Sequence, residues 1–210
     1  MSTQALPPIV DAAEWQRDRD ALLLEEKAAT RLLDALAAKR RRLPMVEFRN
    51  DYVFDTATGP RTLLDLFDGR NQLAVYQFMD RGPEHFCPGC TWFTKNLPDK
   101  TPEMLAESEV TWMTISDMPL SQIEAYKAEQ GWTIPFVSSH GTTFSQDCGT
   151  GGLFQFNAFL RSDDRVFRTY STTGRGVDRV MFATNVVDLM PYGRQEEWED
   201  SPPGWPKLQT

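Results

Sequence analysis

Leu73-Ala74-Val75-Tyr76-Gln77-Phe78-Met79, then the polar loop Asp80 to Phe86, then Cys87-Pro88-Gly89-Cys90 running into Thr91 to Leu97: this stretch decides the fold. The first part is a nearly continuous apolar run, the pattern of a strand covered on both faces in the middle of a sheet. Two cysteines three positions apart at a strand-to-helix junction read as a redox pair. With Cys87 at the N-cap, Pro88 occupies the first helical position, where its missing N–H is no loss and its fixed φ suits the turn. Cys90 then lies one turn in, within reach of Cys87. A sulfur at the N-cap faces unpaired backbone N–H groups and the positive end of the helix dipole, which favour thiolate over thiol. Cys87 is therefore the expected nucleophile and Cys90 the resolving thiol. The competing readings are half of a zinc site, for which only His85, His140 and Cys148 are left as partners, and an inert helix start.

Composition narrows the classes. At 210 residues the chain is long enough for one domain with extensions and a full core, and three cysteines are too few for a disulfide framework. A formal net charge of −8 argues against a duplex nucleic acid partner, which needs a basic face. Met1 to Val10 lacks the charged and apolar regions of a secretion signal, and no apolar run approaches the ~20 residues of a membrane span. The expected compartment is the cytoplasm, whose reducing conditions disfavour a structural Cys87–Cys90 bond.

Outward from the centre, Asp11 to Arg42 carries Trp15, Leu22, Leu23, Ala29, Leu32, Leu33 and Leu36 at helical spacing. One long helix is predicted, stopped by Pro44, with Lys39 to Arg42 complementing its dipole. Its apolar stripe must lie across its own domain or meet a second copy, and a homodimer is the expectation. Val46 to Phe54 alternates and reads as a hairpin or edge pair, followed by a helical turn over Arg61 to Phe67. Val110 to Ser116 is predicted as a strand parallel to Leu73–Met79, Leu120 to Gln130 as a helix capped by Gly131, and Ile134 to Ser138 as a short strand with Pro135 near its edge. His140 to Gly152 reads as a polar loop carrying Cys148. Phe154 to Arg161 and Val166 to Ser171 form a predicted antiparallel hairpin, Val177 to Met190 a last helix, and Tyr192 to Thr210 an extended or mobile tail. This order is that of an α/β thioredoxin-like sandwich of peroxiredoxin-like flavour with a long N-terminal helix. The implied organisation is a helical extension over 1–45, the thioredoxin-like domain over 46–191 and a tail over 192–210.

Blocks along the chain carry a resemblance: Arg40-Arg41-Arg42-Leu43-Pro44-Met45, Tyr52-Val53-Phe54, Leu66-Phe67-Asp68-Gly69-Arg70, Cys87-Pro88-Gly89-Cys90, Gly131-Trp132, Ser138-Ser139, Thr169-Tyr170-Ser171 and Gly193-Arg194-Gln195-Glu196. In this order, over roughly residues 10 to 197, the chain resembles the bacterial thioredoxin-like domain-of-unknown-function family 899. The resemblance implies the thioredoxin-like fold and a dithiol role for Cys87 and Cys90, and no substrate. Members usually have histidine before the Phe-Met pair, where this chain has Gln77.

Other residues are candidates for supporting roles. His85, two positions before the nucleophile, would stabilise its thiolate if protonated, with Glu84 opposing. Cys148 reads as a third redox thiol, as a member of a Cys3His shell with Cys87, Cys90 and His85, or as a small buried hydrophobe. Trp92 and Trp132 are candidate pocket walls. Pro135 is the nearest residue in type to the proline that thioredoxin-like enzymes place opposite the dithiol, yet Phe154 to Arg161, the strand expected there, has none. The reading is a thiol-disulfide oxidoreductase that needs no cofactor and no metal. Its partners are a thiol or disulfide substrate and an unidentified electron donor or acceptor. A thiol peroxidase passing through a Cys87 sulfenic acid and a non-enzymatic metal- or ligand-binding module are the alternatives.

Overall fold

A computed structural model describes residues 5–207. Backbone contacts divide it into two compact units, 44–182 and a second formed by 5–43 with 183–207.

The larger unit is built on a six-stranded sheet. Its strands are β1 (Val46–Phe48), β4 (Gln72–Gln77), β5 (Val110–Ser116), β6 (Phe136–Ser138), β7 (Gln155–Ser162) and β8 (Arg165–Thr172), in the order β1-β8-β7-β4-β5-β6. β4 lies inside the sheet, parallel to β5 and antiparallel to β7. The connection from β4 to β5 carries α2 (Pro88–Lys95) and α3 (Thr101–Ala106), while α4 (Leu120–Gln130) leads from β5 towards β6, also parallel. Gly131 ends α4 at φ 69°, a left-handed conformation that glycine adopts without a Cβ clash. The β7–β8 hairpin carries a bulge between Ala158 and Phe159. This is the thioredoxin-like α/β sandwich, with the Cys-x-x-Cys helix leaving the C-terminal end of a central strand.

The apolar run of β4 is continuous because both faces of the strand are covered. Leu73 and Val75 enter one core, with Met113 and Ile115 of β5, Phe159 of β7, and Phe48, Tyr52, Phe54, Leu66, Phe67 and Phe144 from the segments over that face. Ala74 and Tyr76 enter the other, with Trp112, Cys87, Cys90, Phe93, Ile123, Tyr126 and Val177. Period-two alternation along one strand therefore assigns each core its share of the chain.

Several local expectations change. Of the two readings of Val46 to Phe54, the hairpin fails and the edge pair holds for β1, which pairs with β8 at the edge of the sheet, while β2 (Val53–Phe54) pairs with β3 (Arg61–Thr62) in a separate ribbon. The β1–β8 pairing is fastened by a bidentate bond from Arg165 to Glu47, both contacts 2.8 Å, a partner 118 residues away that no local pattern shows. The helix predicted over Val177 to Met190 is broken into a 3₁₀ segment, Gly174–Val180, and α6 (Phe182–Val187), because Met181 between them is extended. The loop from His140 to Gly152 contains a short helix, α5 (Phe144–Asp147), whose Phe144 is fully buried.

In the smaller unit, α1 (Ala12–Arg40) begins where the Asp11 carboxylate accepts the Glu14 N–H at 2.8 Å. None of its residues is buried, and the predicted stripe is exposed at Trp15, Leu22, Leu32, Leu33 and Leu36. The segment expected as an extended or mobile tail is folded into turns: Arg194 grips Asp188 through two 2.6 Å bonds, and Trp205 donates to the Pro191 carbonyl at 2.8 Å. Among the described residues, no helix is long and apolar enough to cross a membrane.

Phe144 is the hub of the first core, with ring centroids 5.1–6.3 Å from those of Phe48, Tyr52, Phe54 and Phe159. Phe144→Ala is expected to destabilise the protein by about 3–5 kcal/mol, read as a lowered urea midpoint with the slope retained.

Candidate active site

Three residues past β4 the chain turns through Asp80 to Phe86, whose ends are joined by an antiparallel bridge, and enters α2. Cys87 is the N-cap, extended at φ −64° and ψ 116°, and Pro88 follows at the first helical position. The Cys90 N–H points at the Cys87 Sγ, 3.4 Å away. The Cys87 carbonyl accepts both the Thr91 N–H and the Thr91 hydroxyl at 2.9 Å, so the first turn is closed from two sides. Thr91 Oγ1 also meets the Tyr126 hydroxyl at 2.8 Å, and the Tyr126 ring stacks on Phe86 at 3.5 Å, tying helix, loop and α4 together.

The two sulfurs have different surroundings. Cys87 keeps 7% of its surface exposed, and its Sγ lies 3.6 Å from the Met79 Sδ. Cys90 has no exposed surface, and its Sγ accepts the Met79 N–H at 3.5 Å. Burial pushes the Cys90 thiol up to about 12, against the pull of the Met79 N–H. The Tyr76 ring is fixed, stacked on Phe93 at 3.7 Å. Both cysteines are free thiols.

The remaining candidates separate. His85 is exposed, and its Nδ1 meets the Pro83 carbonyl of its own loop at 2.7 Å. Trp92 is exposed on α2, whereas Trp132 packs edge-on to Tyr126. Pro135 precedes β6, two strands from β4 in the sheet, and its carbonyl accepts the Thr114 N–H at 3.0 Å. Cys148 is buried in the core on the other face of the sheet from Cys87 and Cys90, so neither a three-thiol cluster nor a Cys3His shell is assembled. Its neighbours brace that core: the Asp147 carboxylate accepts the Tyr52 and Thr143 hydroxyls at 2.6 and 2.7 Å, and Arg168 donates to the Cys148 carbonyl at 2.7 Å.

A polar group lies at the C-terminal ends of β4 and β5. Asn157 Nδ2 donates to Gln77 Oε1 at 3.2 Å, Gln77 Nε2 to Ser145 Oγ at 2.8 Å, and Ser145 Oγ to Asp117 Oδ1 at 2.7 Å. Ser139 donates to the same carboxylate oxygen at 2.6 Å. Gln77, Asp117 and Ser145, with Met79, Asp80 and Thr150, line a cavity of about 160 Å³. Two signals pointed here: Gln77 is the one polar side chain inside the apolar run, and Asp117 follows directly on a parallel strand, where open α/β sheets place their ligands.

The match to known families is made by nearly the whole chain: residues 4–209 fit the family described as "Bacterial protein of unknown function (DUF899)". The chain belongs to this family. No curated protein matches it. Among solved structures, it is similar to the peroxidoxin BcpB from Mycobacterium tuberculosis, at 16% identity over 69% of this chain and 94% of that one, with a TM-score of 0.44. A thioredoxin-like protein from Porphyromonas gingivalis aligns at 13% identity over 66% and 89%, with a TM-score of 0.45. The yeast mitochondrial 1-Cys peroxiredoxin aligns at 18% identity over 70% and 77%, also with a TM-score of 0.45.

Burial also raises the Cys148 thiol, from an ordinary value near 9 to about 12. Between these values the unfolded chain gives up a proton that the native state keeps, so this contribution to stability is complete below pH 9 and lost as the pH rises to 12. Urea midpoints measured across that range should fall less steeply in Cys148→Ala than in the wild type. Parallel curves would contradict the burial of this thiol.

Proposed function

We propose that this protein is a thiol-disulfide oxidoreductase working through the dithiol of Cys87 and Cys90. The observation that carries the reading is the 3.4 Å contact of the Cys90 N–H with the Cys87 sulfur at the start of α2. A developing thiolate at that point gains a hydrogen bond and the favourable end of the helix dipole without any rearrangement.

Chemistry follows from the unequal burial of the two sulfurs. As a thiolate, Cys87 attacks one sulfur of a disulfide, its S–S bond breaks, and the departing thiolate carries away the electron pair. Cys90 waits as a neutral thiol, since burial holds it protonated well above neutral pH. It must lose that proton before it attacks Cys87, and the first departing thiolate is a base on hand to take it. Closure of the Cys87–Cys90 bond then expels the second thiol. Two electrons pass from the dithiol to the substrate, and the reverse sequence oxidises a substrate dithiol. The buried resolving thiol is shielded from solution, which limits side reactions at its sulfur.

The test is a redox titration of intact protein in glutathione buffers, read by mass. The wild type should interconvert reversibly between dithiol and a form lighter by two hydrogens, Cys90→Ser should accumulate a mixed disulfide on Cys87, and Cys87→Ser should do neither. No interconversion at any glutathione ratio would overturn the reading.

A further inference from the structure

We propose that the cavity at the C-terminal ends of β4 and β5 seats the substrate of the dithiol and selects small disulfides that carry ammonium groups. This rests on the oxidoreductase reading above. Met79 joins the two places: it lines the cavity, its Sδ lies 3.6 Å from the Cys87 sulfur, and its backbone N–H donates to the Cys90 sulfur. Cys87 does not itself line the cavity, and a disulfide seated there against Met79 would bring one sulfur towards it past the Met79 side chain.

Size sets the first limit. Pockets for drug-sized ligands start at about 300 Å³, and this one, at about 160 Å³, takes a group of a few heavy atoms. Charge sets the second. Two carboxylates, Asp80 and Asp117, line the cavity, and no Lys, Arg or His does. Among the described residues neither carboxylate has an ion-pair partner; the Asp80 carboxylate accepts the Gly82 N–H at 2.8 Å, and Asp117 accepts two serine hydroxyls on one oxygen. His140 meets the backbone carbonyl of Asp117 at 3.0 Å. Gln77 and Ser145, 3% and 7% exposed, give the cavity polar walls, and Asn157 behind Gln77 is fully buried with its Oδ1 unpartnered. Hydrogen-bond acceptors and uncompensated negative charge call for a donor-rich cationic group. The chain's net charge of −8 draws the same class of molecule from solution.

In the step itself the Cys87 thiolate attacks the disulfide sulfur nearest Met79, an aminothiolate leaves and is protonated, and Cys90 then displaces the second aminothiol from Cys87 as the protein disulfide closes. One disulfide is reduced and one dithiol oxidised, with no further reactant. Pre-reduced full-length protein is mixed with cystamine, with neutral bis(2-hydroxyethyl) disulfide or with anionic dithiodiglycolate, and single-turnover rates are divided by those of dithiothreitol with the same compound. The expected order is cystamine, neutral, anionic, with cystamine favoured over the neutral compound by about tenfold. That ratio should collapse in Asp117→Asn and drop in Asp80→Asn, a solvent-exposed position that tolerates the change, while Glu129→Gln on the outside of α4 leaves it in place. Equal normalised rates for all three compounds, with the protein disulfide still forming, would overturn the pocket assignment alone. So would a cystamine preference that survives both aspartate changes, since general attraction would then explain it. Failure of every compound to oxidise the dithiol would remove the oxidoreductase reading instead.

Discussion

The amide of Cys90 directed at the sulfur of Cys87 is the interaction on which the rest of this structure turns, and it exists only because a helix starts there. That start depends in turn on Pro88, whose fixed φ suits the first helical position, and on β4, which delivers the chain to the C-terminal end of the sheet's central strands. A central strand with both faces covered has little freedom to shift, because a slip of one residue would exchange the contents of the two cores. The rigidity of the site is thus inherited from the packing beneath it. Tyr76 makes the link concrete: it is buried in β4 and its ring is stacked on Phe93 of α2.

The same sheet keeps the third thiol out of the chemistry. Cys148 and the Cys87–Cys90 pair are all buried, but in cores on opposite faces of the sheet. Exchange between them would require the sheet to open. Asp147 and Arg168 around Cys148 spend their hydrogen bonds on Tyr52, Thr143 and backbone, which is the pattern of a brace and gives the Asp147-Cys148-Gly149 motif a packing explanation.

Much of the central frame was legible in the sequence because its signals are local. The apolar run of β4, the N-cap cysteine with Pro88 behind it, the long α1 and the Gly131 cap each depend on residues within a turn or two of one another. Errors gathered where the deciding partner is distant. Val46 to Phe48 alternates as a hairpin strand would, yet its ladder and its ion pair both go to β8. Val177 and Met181 keep helical spacing and are both buried, yet Met181 is extended and interrupts the helix. Phe144, hidden in a polar loop, becomes the centre of a core only once Phe48, Tyr52, Phe54 and Phe159 arrive from elsewhere. At the site, the two cysteines were readable by spacing, whereas the group of Gln77, Asp117, Ser145 and Asn157 draws on β4, α5, β7 and the residue after β5 and has no spacing to read.

That group also bears on how the site is shaped. A polar side chain at the end of a buried strand costs about 1–3 kcal/mol if left unpaired, so Gln77 is tolerable only with partners on both sides. It has them, Asn157 on β7 and Ser145 on α5. The chain of bonds then ends at Asp117, where Ser145 and Ser139 both donate to Oδ1. Two donors on one oxygen set the rotation of the carboxylate and leave Oδ2 as its other acceptor. The direction in which Asp117 presents its charge is therefore decided by serines on either side of α5's start, and indirectly by a glutamine inside the strand that leads to Cys87. The apolar run that builds the fold and the polar break within it serve one arrangement: β4 leads through the loop Asp80 to Phe86 to the nucleophile, and Gln77, two residues before Met79, helps to hold the carboxylate in the wall of the adjoining cavity.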